Sequence, residues 1–191
     1  LISVLLCLSF SSCDLAGIGN DTFREQVKDN VTPEMTEIDV AAELEYFMRK
    51  SGASGLAFDT IAVSGTMSAR PHGEPRPVKL EKGFLTMDYG ARVDGYCSDM
   101  TRTVVIGKAD ADIKKVYNTV LSAQLNALEN MKGGMICRDA DELARSVIRE
   151  AGYGEAFGHS LGHGVGMFIH ESPSLAPRAA EDSRLESGNV V

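Results

Sequence analysis

The residues whose types and spacing could do chemistry are two aspartates and four histidines. Asp88 and Asp99 flank Asp94-Gly95, a dipeptide that favours a two-residue hairpin turn because both positions tolerate positive φ. A turn centred there sets Val93 opposite Tyr96, Gly90 opposite Asp99 and Asp88 opposite Thr101. Residues two apart on a strand share a face, so Asp88 and Asp99 become diagonal neighbours about 7–8 Å apart by backbone. Carboxylates at that spacing can converge on two metal ions about 3.5–4 Å apart. Without a cation they repel, and one is driven towards protonation. The competing reading is two acids on a solvated hairpin face. Against it, Phe84, Leu85, Met87, Val104, Val105 and Ile106 give these strands a buried character, and buried carboxylates need a partner. A β-bulge between them would spoil the facing.

The four histidines are His72, His159, His163 and His170, and three of them fall in the glycine-rich run from Gly158 to Glu171. His159 and His163 have the i, i+4 spacing of a helical zinc motif. Gly158, Gly162, Gly164 and Gly166 oppose a helix, and the Glu of His-Glu-x-x-His is missing. A strand or loop that brings backbone close to a metal or substrate suits these glycines better. The same run contains Gly158-His-Ser160-Leu-Gly162, the pattern of a serine-hydrolase nucleophile elbow with Ser160 as nucleophile. An elbow needs a buried strand before it and the acid and base well downstream, and neither is offered here. Gly162-His-Gly-Val-Gly166 lacks the strand–turn–helix that would make it a dinucleotide site.

These residues must be carried by elements legible in the pattern. Thr36 and Asp39 form a capping box ahead of a helix with Val40, Leu44, Phe47 and Met48 on one face and Gly52 as its stop. Residues 59–64 read as a strand and 65–79 as a loop containing Pro71-His72-Gly73. Residues 83–89 and 96–106 read as strands. A long helix is expected over 110–131, with Ile113, Val116, Val120 and Leu128 on its face. A third helix carries Leu143, Val147 and Ile148, is capped by Asp139 and Glu142, and ends at Gly152. Arg49-Lys50-Ser51-Gly52 followed by Ala57-Phe58 echoes Arg149-Glu150-Ala151-Gly152 followed by Ala156-Phe157. If this is a true repeat, two related helix–strand halves surround one site.

Composition narrows the partners. The 191 residues are 43% hydrophobic and 24% charged, with a net charge of −8, which is the profile of a globular domain. An acidic chain without Trp is unsuited to gripping phosphate backbones or stacking bases, so no nucleic acid is expected. Cys7, Cys13, Cys97 and Cys137 form no Cys-x-x-Cys pair and read as free thiols of a reducing, cytoplasmic compartment. The uncharged run from Leu1 to Cys13 resembles the apolar part of an export signal without its basic segment, and is too short to span a bilayer. No membrane partner is expected. The chain falls into an unassigned N-terminal segment, 1–29, and a catalytic domain, 30–191. Leu185 to Val191 reads as a turn entering a strand, which suggests an incomplete chain.

Three of these segments, in order, carry a strong resemblance. Ala69-Arg-Pro-His72-Gly73, the pair Met87-Asp88-Tyr-Gly-Ala91 and Ser98-Asp99-Met-Thr-Arg-Thr103, and His159-Ser-Leu-Gly-His163-Gly-Val-Gly-Met-Phe-Ile-His170-Glu171 resemble the Xaa-Pro peptidases. With the methionine aminopeptidases, these belong to the pita-bread metallopeptidases. The resemblance covers about residues 30–191. It implies an α+β pita-bread fold, two related helix–strand halves around a central antiparallel sheet, C-terminally incomplete. It also implies hydrolysis of the peptide bond before proline by a metal-bridging hydroxide, on short peptides with proline at the second position.

Carried over residue by residue, the resemblance makes Asp88, Asp99 and His163 ligands of two divalent metal ions, with Asp99 bridging. Oxygen and imidazole donors suit manganese or cobalt, with zinc or iron as alternatives. His72 and His170 would donate to the scissile carbonyl or relay protons, and His159 would sit near the proline side. Two further glutamate ligands, one also the general base, are expected beyond the second His segment. Pro33-Glu34-Met-Thr-Glu37 departs from the family by placing Glu where a turn usually wants Gly. Dipeptidase and aminopeptidase specificity, and a homodimer, stay open. The alternatives are a non-catalytic relative used as a binding module, and a serine esterase.

Overall fold

The computed structural model describes residues 30–191. The expectations for residues 1–29, including the signal-like run and Cys7 and Cys13, lie outside the described residues.

The first helix, α1 (Glu37–Lys50), starts where a capping box was expected. The Thr36 hydroxyl accepts from the Asp39 amide at 3.1 Å, and the Asp39 carboxylate accepts from the Thr36 amide at 2.8 Å. Gly52, at φ 104°, supplies the left-handed residue past its end. A short strand β1 (Gly55–Leu56) precedes β2 (Ile61–Ser64) and a 3-10 turn over Gly65–Ala69. Then come β3 (Gly83–Tyr89), β4 (Ala91–Val93), β5 (Tyr96–Cys97) and β6 (Met100–Ile106). The helices α2 (Ala111–Asn130) and α3 (Cys137–Glu150) lead to β7 (Gly162–Gly164) and β8 (Glu171–Leu175). Three antiparallel sheets result, ordered β1-β4-β5, β2-β3-β6 and β7-β8.

The hairpin turn is where the dipeptide put it. Asp94 and Gly95 both take positive φ, 50° and 87°, and Val93 faces Tyr96. The single strand expected over 96–106 is instead two, β5 and β6, parted at Ser98 and Asp99. The partner strand parts at Gly90 in the same place. The Cys97 amide leaves the hairpin to donate to Gly166 O at 2.7 Å, which ties the hairpin to the histidine segment. The register does not slip across the break, since Asp88 faces Thr101 and Tyr89 faces Met100. Gly90 is required at the break, because a Cβ there would lie 2.1 Å from Ser98 O.

Two apolar cores form, one under each half. In the first, Val40, Leu44 and Met48 of α1 pack on Leu85, Met87 and Met100 of the larger sheet. In the second, Ala123 and Ala127 of α2 meet Ala140 and Ala144 of α3, with Ile148, Phe157, Leu161 and Leu175 around them. The small residues let the two helices approach closely. The buried face of α2 is therefore Ala123 and Ala127 flanked by Val120 and Leu128, and Ile113 and Val116 are only half-buried.

The expected cap of α3 is corrected. Its N-cap is Ile136, which makes no side-chain cap bond, and Asp139 lies inside the first turn. The helix starts early because its entry is fixed by pairing instead. Ile136 bridges Arg184, and the Cys137 amide donates to Ser183 O at 2.9 Å. The same device opens α1, where Thr36 bridges Lys79 and the Glu37 amide donates to Val78 O at 3.1 Å. Both helices have 14 residues. Leu80 N donates to Met35 O in one half as Leu185 N donates to Met135 O in the other. The internal echo is thus a structural repeat.

Candidate functional site

Asp88 sits on β3 and Asp99 in the break before β6. They are 5% and 8% exposed, so the solvated-face reading fails. Burial first, and the Asp99 charge second, push the Asp88 carboxyl up to about 7. The two carboxyl groups stand close enough for each to oppose ionisation of the other. Thr101, opposite Asp88 in the register, donates to Asp88 Oδ1 at 2.9 Å and orients it. Sequence reasoning placed Thr101 there without giving it this role.

The histidine segment reaches the same place from the other half. His163 lies on β7, and its Nδ1 faces Gly164 O at 3.0 Å. A carbonyl can only accept, so Nδ1 carries a proton, and Nε2 points towards Asp99 Oδ2, 3.5 Å away. An imidazole nitrogen aimed at a carboxylate is an arrangement that a cation between them would satisfy. His170 stacks on His163 with ring centroids 4.3 Å apart. Its pKa is lowered, first by burial and then by the His163 charge. His72, on the loop after the 3-10 turn, is near enough to act electrostatically on both His159 and His170.

His159 precedes β7 in irregular backbone. Its Nδ1 faces Ser160 O at 2.7 Å, its ring packs edge-on against Phe157 with centroids 5.0 Å apart, and burial lowers its pKa. Its Nε2 is buried without a hydrogen-bond partner among the described residues. The six residues singled out from sequence are thereby brought into one site.

Glycine makes the approach possible. A Cβ at Gly164 would lie 2.4 Å from Ser172 O, and one at Gly166 would lie 2.6 Å from the Glu171 carboxylate. Glu171 accepts from the Phe168 amide at 2.8 Å, which closes the β7–β8 turn. The run from Gly158 to Gly162 has a 3-10 turn before it and strand β7 after it, so the strand–turn–helix of a nucleophile elbow is not formed.

Three residues escaped the sequence reading. Glu37, fully buried at the start of α1, accepts from Ser64 N and Oγ and from Arg76 N, Nε and NH2. Asp141, 1% exposed, pairs with Arg145. The available signal was Asp141's position, among Cys137, Ala140, Ala144 and Ile148 on the apolar face of α3.

The donors fit a divalent cation by their chemistry: two carboxylates held together in low dielectric and an imidazole nitrogen directed at one of them. Among the described residues, no three His, Cys, Asp or Glu side chains are gathered closely enough to hold a metal ion, so the fit rests on the kind of donors and not on a formed ligand cage. No helix among the described residues is long and apolar enough to cross a membrane. Cys97 and Cys137 are free thiols.

The family model for metallopeptidase family M24 matches residues 13–191. The Xaa-Pro dipeptidase of Pyrococcus horikoshii is 43% identical over 85% of this chain and 46% of its own length. Among solved structures, an Xaa-Pro dipeptidase from Bacillus anthracis superposes with TM-score 0.86 at 46% identity, over 93% of this chain and 49% of that one. An X-Pro aminopeptidase from Thermotoga maritima gives TM-score 0.83 at 44% identity, over 92% and 48%. The chain spans about half the length of the curated relatives it matches. The expected pita-bread architecture is therefore met by the two related halves and their antiparallel sheets, and the chain belongs to metallopeptidase family M24.

Proposed function

We propose that residues 30–191 form the catalytic-domain portion of a dinuclear metallopeptidase that hydrolyses the peptide bond preceding proline in short peptides. The observation that carries this reading is the buried Asp88–Asp99 pair facing the Nε2 of His163. Asp88, Asp99 and His163 would hold two divalent ions, manganese first among the candidates. Bound there, the metals would polarise the carbonyl and lower the pKa of water.

The other residues act on the peptide. The imidazoles of His72 and His170 bind the scissile carbonyl oxygen as hydrogen-bond donors and hold it in place. His170, whose pKa is lowered by burial and then by its neighbour His163, can in its neutral form both donate and accept a proton at its two ring nitrogens. Water adds its oxygen to the carbonyl carbon and gives up a proton, the C–N bond breaks, and that proton ends on the proline nitrogen, so the elements of water are divided between the new carboxyl group and the freed amine. That nitrogen carries no N–H in the substrate, so nothing there needs an acceptor. His159 would lie at the proline side, where its buried Nε2, without a partner among the described residues, is left for the peptide.

The test pairs metal uptake with turnover. Calorimetry with Mn²⁺ should show binding that Asp99→Ala abolishes, and full retention of two ions by that variant would refute its role as a ligand. Protein spanning the full length of the relatives should hydrolyse Ala-Pro, with Ser160→Ala unimpaired. Metal uptake and peptide binding without turnover would favour the binding-module reading instead.

A further inference from the structure

We infer that Arg145 is a positioning residue for the histidine segment, clamping the backbone that carries His159 and His163. Arg145 stands on α3, one turn after the buried Asp141. Its Nε and NH2 donate to both Asp141 oxygens, at 2.6 and 3.0 Å. Its remaining donors leave the helix. NH1 donates to Phe157 O at 2.9 Å and NH2 to His159 O at 2.7 Å. The guanidinium also lies over the Phe157 ring, 4.3 Å from its centroid, and that ring packs on His159. Asp141 completes the clamp by accepting from the Leu161 amide at 2.9 Å, the residue that leads into β7.

The physical need is plain. Residues 157–160 belong to no strand, and cross-strand pairing reaches only Leu161, whose amide is shared between Leu175 O at 3.0 Å and Asp141. Phe157 and Leu161 are buried, and buried carbonyls require donors. A planar fork supplies several from one rigid helix. The first half contains an analogous device. The loop carrying His72 is fastened at Arg76, whose amide and guanidinium both donate to the buried Glu37 on α1. Each half thus fixes its histidine-bearing loop to its helix with an acid–arginine pair.

This rests on the proposed role of His159, and the experiment separates the two. Arg145→Met, Arg145→Lys and His159→Ala are made in the full-length protein. Each is followed by thermal melting, by Ala-Pro kinetics with Mn²⁺, and by NMR of the histidine imidazoles, with His159→Ala assigning the resonance. Arg145→Lys keeps a charge for Asp141 but cannot fork onto both carbonyls. It should melt within a few degrees of the parent, move the His159 resonance, and raise KM about tenfold with a smaller change in kcat. Arg145→Met should do the same more strongly. If it does not fold, the lysine variant alone decides. A folded lysine variant with unchanged His159 resonance and unchanged KM overturns the inference, as does a loss confined to melting temperature. A shifted resonance in a protein that His159→Ala leaves fully active upholds the clamp and removes the substrate role of His159.

Discussion

The two helix–strand halves reach one site by different means. The half built on α1 delivers carboxylates from a regular sheet: Asp88 sits in the β2-β3-β6 ladder, and the register holds through the break to Asp99. The half built on α3 delivers three of the four imidazoles, on and around a short, irregular hairpin whose register shifts between His163 and Gly164, while His72 comes from a loop of the first half. The contrast follows from charge. Two buried acids must be held against mutual repulsion, which takes a rigid ladder and a donor such as Thr101. Imidazoles have a neutral form that carries no such penalty. They need only close approach, which glycine allows, and a clamp on the backbone.

The largest expected effect breaks the first half's contribution. Asp99→Ala should lower divalent-metal affinity by more than about 100-fold, since even outer-sphere changes cost up to that much, and equilibrium dialysis against Mn²⁺ will read it. Next is the anchor of the first half. Glu37→Ala leaves the Arg76 guanidinium and the Ser64 amide without their buried acceptor, and should cost about 3 kcal/mol in urea unfolding. An effect below a third of that would make the Glu37 clamp dispensable.

The second half should break at its glycine. Gly164→Ala forces a methyl against Ser172 O and should destabilise by about 1–3 kcal/mol. It should displace His163 while leaving the hairpin turn at Asp94-Gly95 intact by NMR.

A pH titration sharpens the comparison further. Burial raises the Glu37 carboxyl, but the Arg76 and Ser64 hydrogen bonds outweigh it and bring it below the ordinary 4.5. A lowered native value means the contribution is whole above that ordinary value and lost as pH falls through the native one. Stability should therefore drop with acid below pH 4.5, and Glu37→Gln should flatten that slope. The smallest effect is expected at Phe168, 70% exposed at the β7–β8 tip, where Phe168→Ala should shift stability by less than about 0.5 kcal/mol.

Local chemistry was enough for much of this. Thr36 with Asp39 specified the start of α1, Asp94-Gly95 specified the turn, and the period-2 pattern placed Asp88 and Asp99 on one face. Each rests on neighbours within a few residues, where propensity and capping decide. The repeat was legible at its helix ends, Gly52 and Gly152, for the same reason. Hidden from the sequence were the break at Gly90 and Ser98, the entry to α3, and the clamps of Glu37 and Arg145. Each depends on a partner far along the chain: Cys97 on Gly166, Ile136 on Arg184, Glu37 on Arg76, Arg145 on His159. Side-chain spacing could nominate Asp88, Asp99 and the three clustered histidines, and family resemblance added His72. Only long-range backbone pairing and burial could bring Nε2 of His163 to within 3.5 Å of Asp99.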